Sequence, residues 1–110
     1  LKQKRRTLEI LFSNRNLKIL YEEGYSKKYR LDKIVTEKFF EVVAILEAAK
    51  DIYDLWRQPS LNFEKLTGFE NRFSARLNRK WRLEMTIEWT NEKMTVGIIG
   101  LEEISSHYGG

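Results

Sequence analysis

The chain has 110 residues, of which 42% are hydrophobic and 13% aromatic, with no cysteine and one histidine. That is enough apolar material for one compact core, so a single domain over residues 1–110 is expected. A disulfide framework, a thiolate metal site and a multi-histidine cage are all excluded by composition, and neither metal nor cofactor is expected.

The formal net charge is +4, which suits an anionic partner, and its distribution says more than its total. From Arg57 to Arg82 there are seven Lys/Arg (Arg57, Lys65, Arg72, Arg76, Arg79, Lys80, Arg82) against two acids, Glu64 and Glu70. Beyond Arg82 only Lys93 stands against five glutamates. Such segregation can hold a polyanion on one surface, although a solvated face without a dedicated partner carries the same charge pattern. The longest apolar runs are short and the basic start, Lys2 to Arg6, is not followed by a secretory apolar stretch. A soluble cytoplasmic protein with no membrane partner is the expectation.

In chain order, Thr7 to Phe12 alternates in part and predicts a first strand. Ser13 or Asn14 offers an N-cap to a helix from about Arg15 to Glu23, ended by Gly24 and burying Leu17, Leu20 and Tyr21. A second, longer helix starts at Asp32, with apolar positions Ile34, Val35, Phe39, Val42, Val43, Leu46 and Ala49 at helical spacing. A break near Asp51 leaves Ile52, Tyr53, Leu55 and Trp56 as an apolar lid before Pro59. The second half predicts strands over Arg72 to Leu77, Trp81 to Trp89 and Lys93 to Leu101, with Asn91-Glu92 as a turn and a short C-terminal helix from about Glu102 to His107. The order predicts an α+β domain, an N-terminal strand and two helices packed on a mainly antiparallel sheet.

The strands flanking Asn78-Arg79-Lys80 constrain each other. A three-residue loop sets Leu77 opposite Trp81, Ala75 opposite Leu83 and Phe73 opposite Met85, which makes one apolar face. On the other face Arg76 then lies across from Arg82, and Ser74 across from Glu84. Like charges directly opposed cost a few tenths of a kcal/mol up to about 1. Either Glu84 compensates them within the protein, or two guanidinium forks hold one phosphate, with Lys65 and Lys80 adding charge.

Phe63-Glu64-Lys65-Leu66-Thr67-Gly68, then Phe73-Ser74-Ala75-Arg76-Leu77-Asn78, then Trp81-Arg82-Leu83 form a succession that resembles the HigB, or plasmid-maintenance killer, branch of the RelE/ParE toxins. The motifs cover Leu61 to Leu83, and the rest of the chain agrees by element order. The resemblance implies a RelE-like microbial RNase fold, cleavage of messenger RNA in the ribosomal A site, and inhibition by a helix-turn-helix, HigA-like antitoxin. It implies that Lys65, Arg76 and Arg82 bind and polarise the scissile phosphate. Arg57, Arg72, Asn78, Arg79 and Lys80 form the expected RNA-binding fringe around them. The implied chemistry is metal-free: a ribose 2'-hydroxyl attacks the adjacent phosphorus in line, the arginines offset charge on the non-bridging oxygens, and an acid protonates the departing 5'-oxygen.

The chain departs from that pattern at its end. Where many HigB relatives carry an Asp-Tyr-His cluster, Gly100-Leu101-Glu102 stands here, and His107 and Tyr108 come later. Two readings stand: His107 and Tyr108 fold back to the phosphate site, with His107 as general acid or base, or they belong to a tail ahead of Gly109-Gly110. Glu102 is the weaker candidate base. Two other functions fit a small basic domain, a ParE-like gyrase poison and a non-catalytic RNA- or protein-binding module. Arg76, Arg82 and His107 together argue against the poison.

Overall fold

A computed structural model of the chain describes residues 8–106. The elements are β1 (Glu9–Phe12), α1 (Arg15–Glu23), α2 (Lys33–Ala48), α3 (Ile52–Trp56), a 3-10 turn (Pro59–Leu61), β2 (Glu64–Lys65), β3 (Arg72–Arg76), β4 (Trp81–Trp89) and β5 (Gly97–Ser106). The five strands form one sheet in the order β1-β5-β4-β3-β2. Only β1 runs parallel to its neighbour, pairing Glu9 to Phe12 with Ile98 to Leu101. The fold is therefore α+β with a mainly antiparallel sheet.

Local chemistry sets the helix limits. The Asn14 side chain accepts from the amides of Asn16 and Leu17, at 2.8 and 3.2 Å, and so satisfies two donors that α1 leaves open. Gly24, at φ 78°, ends α1 in the left-handed conformation. Asp32 caps α2 through Val35 N at 2.9 Å. Leu17 and Leu20 of α1, and Val35, Phe39, Val42, Val43 and Leu46 of α2, are buried together with Phe73, Ala75, Leu83, Met85, Ile87, Ile99 and Leu101 of the sheet. All the helical layer thus lies on one side of the sheet, and the opposite face carries the polar alternates.

Several boundaries differ from the sequence expectation. Ile34 is 77% exposed because it falls on the outer side of the first turn of α2. Tyr21 is only half-buried, packing its ring 5.3 Å from Phe12. The apolar lid is itself a short helix, α3, with Ile52 and Leu55 inward and Tyr53 and Trp56 exposed. Thr90 to Val96 is a loop rather than a strand start, since the Asn91 carboxamide oxygen accepts from both Thr95 N and Val96 N at 3.0 and 3.2 Å.

The largest correction concerns the C-terminal helix. Residues 102–106 are strand rather than helix: β5 continues to Ser106, paired with β4 as far as Trp81. The register shifts at Glu84/Met85, where Glu84 pairs with Glu103 and Met85 with Leu101, which leaves Glu102 as the extra residue of a bulge. Through that bulge Leu101 and Ile104 both point into the core. Their spacing of three mimics a helical stripe, but the bulge produces it. Among the described residues no helix is long and apolar enough to cross a membrane.

A candidate phosphate site on the polar face of the sheet

The hairpin between β3 and β4 forms with Arg72↔Thr86, Phe73↔Met85, Ser74↔Glu84, Ala75↔Leu83 and Arg76↔Arg82, the register that hydrophobic alternation demands. Its tip is held by Asn78, whose Oδ1 accepts from Lys80 N at 2.9 Å and Trp81 N at 2.7 Å. None of Asn78, Arg79 and Lys80 has a positive φ, so this loop needs no glycine, and the Asn78 side chain closes it.

Arg76 and Arg82 differ sharply despite facing each other. Arg82 is 6% exposed. Its Nε donates to the fully buried Ser74 Oγ at 2.8 Å, and its Nη2 donates to Asn62 O at 2.9 Å and reaches Glu64 Oε2 at 2.9 Å. Of its five donors, the two on Nη1 have no partner among the described residues. Burial pulls the guanidinium below the usual arginine value; Glu64 opposes that pull, Arg76 adds to it, and Glu84 opposes it. Arg76 is exposed and forms no ion pair or side-chain hydrogen bond among the described residues.

The carboxylate in direct contact with Arg82 is thus Glu64, and Glu84 acts on it without contact. Glu64 reaches this face because it pairs with Ser74 in β2, a two-residue edge strand that the sequence does not announce. Glu84 instead binds Arg72 Nε at 2.8 Å and accepts from Ser105 Oγ at 2.6 Å, while Arg72 Nη2 also reaches Glu103 at 3.2 Å. Arg72, with the Phe69 ring 5.5 Å from its Cζ, is consequently neutralised within the protein.

The remaining sequence candidates are distributed unevenly. Lys65 pairs with the core residue Phe73, so alternation directs it to the helical side of the sheet, and its Nζ donates to Phe69 O at 2.9 Å. Arg79 and Lys80 are exposed at the hairpin tip, Lys80 with its Nζ 5.1 Å from the Trp81 ring. Arg57 ends α3, pairs with Asp54 at 3.0 Å, and lines a hollow of about 380 Å³ with Ile45, Ala48, Ala49, Asp54 and Gln58, away from the arginine pair. Glu102 accepts from Thr86 Oγ1 at 2.9 Å, in the bulge. His107 and Tyr108 lie outside the described residues. Among the described residues no group of three or more His, Cys, Asp or Glu could hold a metal ion.

Glu64 and the backbone carbonyl of Asn62 are the parts of this site that sequence reasoning missed. The signal was Glu64 within Phe63-Glu64-Lys65, one residue from the lysine that drew notice. Together the face offers a fixed guanidinium, an exposed one beside it with no ion pair among the described residues, and a half-exposed carboxylate in contact with the first. This combination can hold a phosphodiester oxygen and accept or return a proton at the same centre.

An α+β sheet of this order, with its helices on one side, is the RelE/YoeB-like microbial RNase fold. The chain is similar to the solved YoeB dimer from Staphylococcus aureus, with a TM-score of 0.52 and 20% identity, over 93% of this chain and 99% of that one. No protein-family model matches the sequence. No curated protein matches it either.

Proposed function

We propose that the chain is a toxin of a toxin-antitoxin pair, a ribosome-dependent messenger-RNA endonuclease of the HigB branch of the RelE/YoeB-like toxins. The observation that carries this reading is the opposed arginine pair. A structural ion-pair network leaves its cations satisfied, as Arg72 is, whereas Arg76 has no ion pair among the described residues and stands beside a guanidinium already fixed in place. The fold shared with the YoeB structure and the three motifs between Leu61 and Leu83 support the same assignment. A cytoplasmic location and a single unit over residues 1–110 go with it.

In this mechanism the scissile phosphate lies against Arg82 Nη1 and Arg76, whose charges offset that developing on the non-bridging oxygens. The 2'-hydroxyl of the preceding ribose attacks phosphorus in line; its proton passes to a base, the P–O5' bond breaks, and the departing oxygen takes a proton from an acid. The products are a 2',3'-cyclic phosphate, or its hydrolysed 3'-phosphate, and a 5'-hydroxyl. Glu64 is the proposed proton acceptor, because its carboxylate is the one in contact with Arg82. His107 is the proposed acid, with Tyr108 beside it. No metal is required, since two guanidinium groups supply the positive charge. Asn78, Arg79 and Lys80, exposed at the hairpin tip, form the proposed RNA fringe; Arg72, held by Glu84 and Glu103, Arg57, paired with Asp54, and Lys65, on the helical side, are left out of it. A HigA-like antitoxin is the proposed inhibitor.

The test is to express the protein in a bacterial translation extract and map RNA 5' ends, with and without ribosomes assembled on the message. Cuts confined to translated RNA and ending in 5'-hydroxyl are expected. Intact RNA with broken DNA points to gyrase instead, and intact RNA with intact DNA to a non-catalytic binding module.

A further inference from the structure

Past the end of β2 the sheet edge is notched. Arg76, Leu77, Asn62, Ser60, Pro59 and, from α2 in the helical layer, Lys38 line a cleft of about 310 Å³. The notch exists because β2 has only two residues and the chain before it turns away through the 3-10 turn and Asn62, at φ 45°. The β3 hairpin end therefore projects beyond its neighbour. Lys38 stands on the far wall, paired to Glu41 at 3.5 Å; the Glu41 side chain is 62% exposed. A surface pair of that kind is worth little and exchanges readily for a stronger anion.

We propose that this cleft is a nucleotide subsite for the same RNA strand whose scissile phosphate lies at Arg82, with Lys38 holding the neighbouring phosphate. The inference rests on the proposed RNA-binding role of Arg76 and Arg82 and extends it over the sheet edge. Arg76 belongs to both places, since it faces Arg82 in the ladder and lines the cleft. A polyanion leaving Arg82 therefore crosses one open cation and meets a second across the notch. The rest of the exposed lining suits a nucleoside: Pro59 is an apolar wall for a base or ribose, and Ser60 and Asn62 offer hydrogen-bonding groups. The volume lies at the low end of ligand pockets, roughly 300–1,000 Å³, which suits one nucleotide and not a folded segment. The acidic side of the polar face, with Glu84 and Glu103, lies in the other direction and does not compete.

The experiment measures binding of the full chain to two non-cleavable 2'-O-methyl RNAs, a dinucleotide with one phosphate and a hexanucleotide with five, over a salt series. Lys38→Ala is expected to weaken hexanucleotide binding about five- to tenfold. It should also lower the salt slope by about 0.7, the share of one single-strand phosphate contact, and leave the dinucleotide unaffected, with Lys38→Arg restoring the loss. Alanine is a good helix former at this half-buried helical position, so circular dichroism should be unchanged. If Arg82→Lys weakens both RNAs while Lys38→Ala changes neither, the subsite is overturned and the phosphate site stands. If neither substitution changes binding, both are overturned. An oligoglutamate peptide that binds in a Lys38-dependent way where the hexanucleotide does not would assign the cleft to an acidic protein segment and overturn the RNA assignment.

Discussion

Arg76 and Arg82 sit directly opposite each other across the β3–β4 ladder, one solvent-exposed and unpaired among the described residues, the other 6% exposed and held by Ser74, Asn62 and Glu64. This asymmetry separates activity from stability. Arg76→Ala removes a like-charge opposition, so urea unfolding should show unchanged stability or a gain of a few tenths of a kcal/mol, while the proposed ribosome-dependent cleavage should collapse. Arg82→Ala leaves the Ser74 hydroxyl buried without its partner and should cost about 1–3 kcal/mol in addition to activity. Equal destabilisation by both substitutions would contradict this division of roles.

Glu64→Gln isolates the carboxylate. Glutamine keeps the size and can still accept from Arg82, but it cannot take a proton at neutral pH. The Glu64 side chain is 49% exposed, so the lost ion pair should change stability by less than about 1 kcal/mol. Single-turnover cleavage should fall by about a hundredfold or more if Glu64 is the base. A wild-type rate would leave Glu64 as a counter-ion only.

Gly97 begins β5 where its neighbour leaves no space for a side chain. A Cβ built there lies 2.9 Å from Trp89 Cα and closer still to the Glu88 carbonyl oxygen, and both are backbone. Gly97→Ala should force the β4–β5 ladder apart at its open end and cost about 2–3 kcal/mol. Thermal unfolding read against wild type checks it, and a variant within 0.5 kcal/mol, roughly the scatter of neutral surface changes, would show that the ladder end adapts.

The arginine pairing was legible because period-two alternation over Phe73 to Met85 allows one register only. The helix limits at Asn14, Gly24 and Asp32 were legible because capping chemistry is local. What the sequence hid depends on distant partners. β2 has two residues and no alternation of its own; it exists because β3 offers an edge, and so Glu64 arrived at the site unannounced. The bulge at Glu102 gave Leu101 and Ile104 a helical spacing inside a strand. Lys38 lies on α2, some forty residues in sequence from Arg76, and only the notch beyond β2 brings the two to one cleft.

Asn14 ties three parts of the fold together. Its Oδ1 caps α1, and its Nδ2 donates to Tyr29 OH at 2.9 Å and to Glu102 O at 2.7 Å. Asn14→Ala should cost about 1 kcal/mol for the cap and more for the two orphaned oxygens. Asn14→Ser restores a cap without the longer reach, so the difference between the two variants measures the tie to Tyr29 and Glu102. Tyr29 also gives this region a pH signature. Burial raises its phenol above the ordinary 10.0, with the hydrogen bonds from Ile104 and Asn14 opposing and Glu103 adding a further rise. In the window just above pH 10 the unfolded chain has lost the phenolic proton and the folded chain still holds it, so the folded state binds more protons and stability falls as pH rises. Tyr29→Phe should therefore flatten the alkaline limb of the stability curve relative to wild type while leaving the neutral region parallel. An unchanged alkaline slope would mean that the phenol ionises in the folded protein as it does in the unfolded chain, and that Asn14 and Ile104 hold the phenolate as well as they hold the phenol.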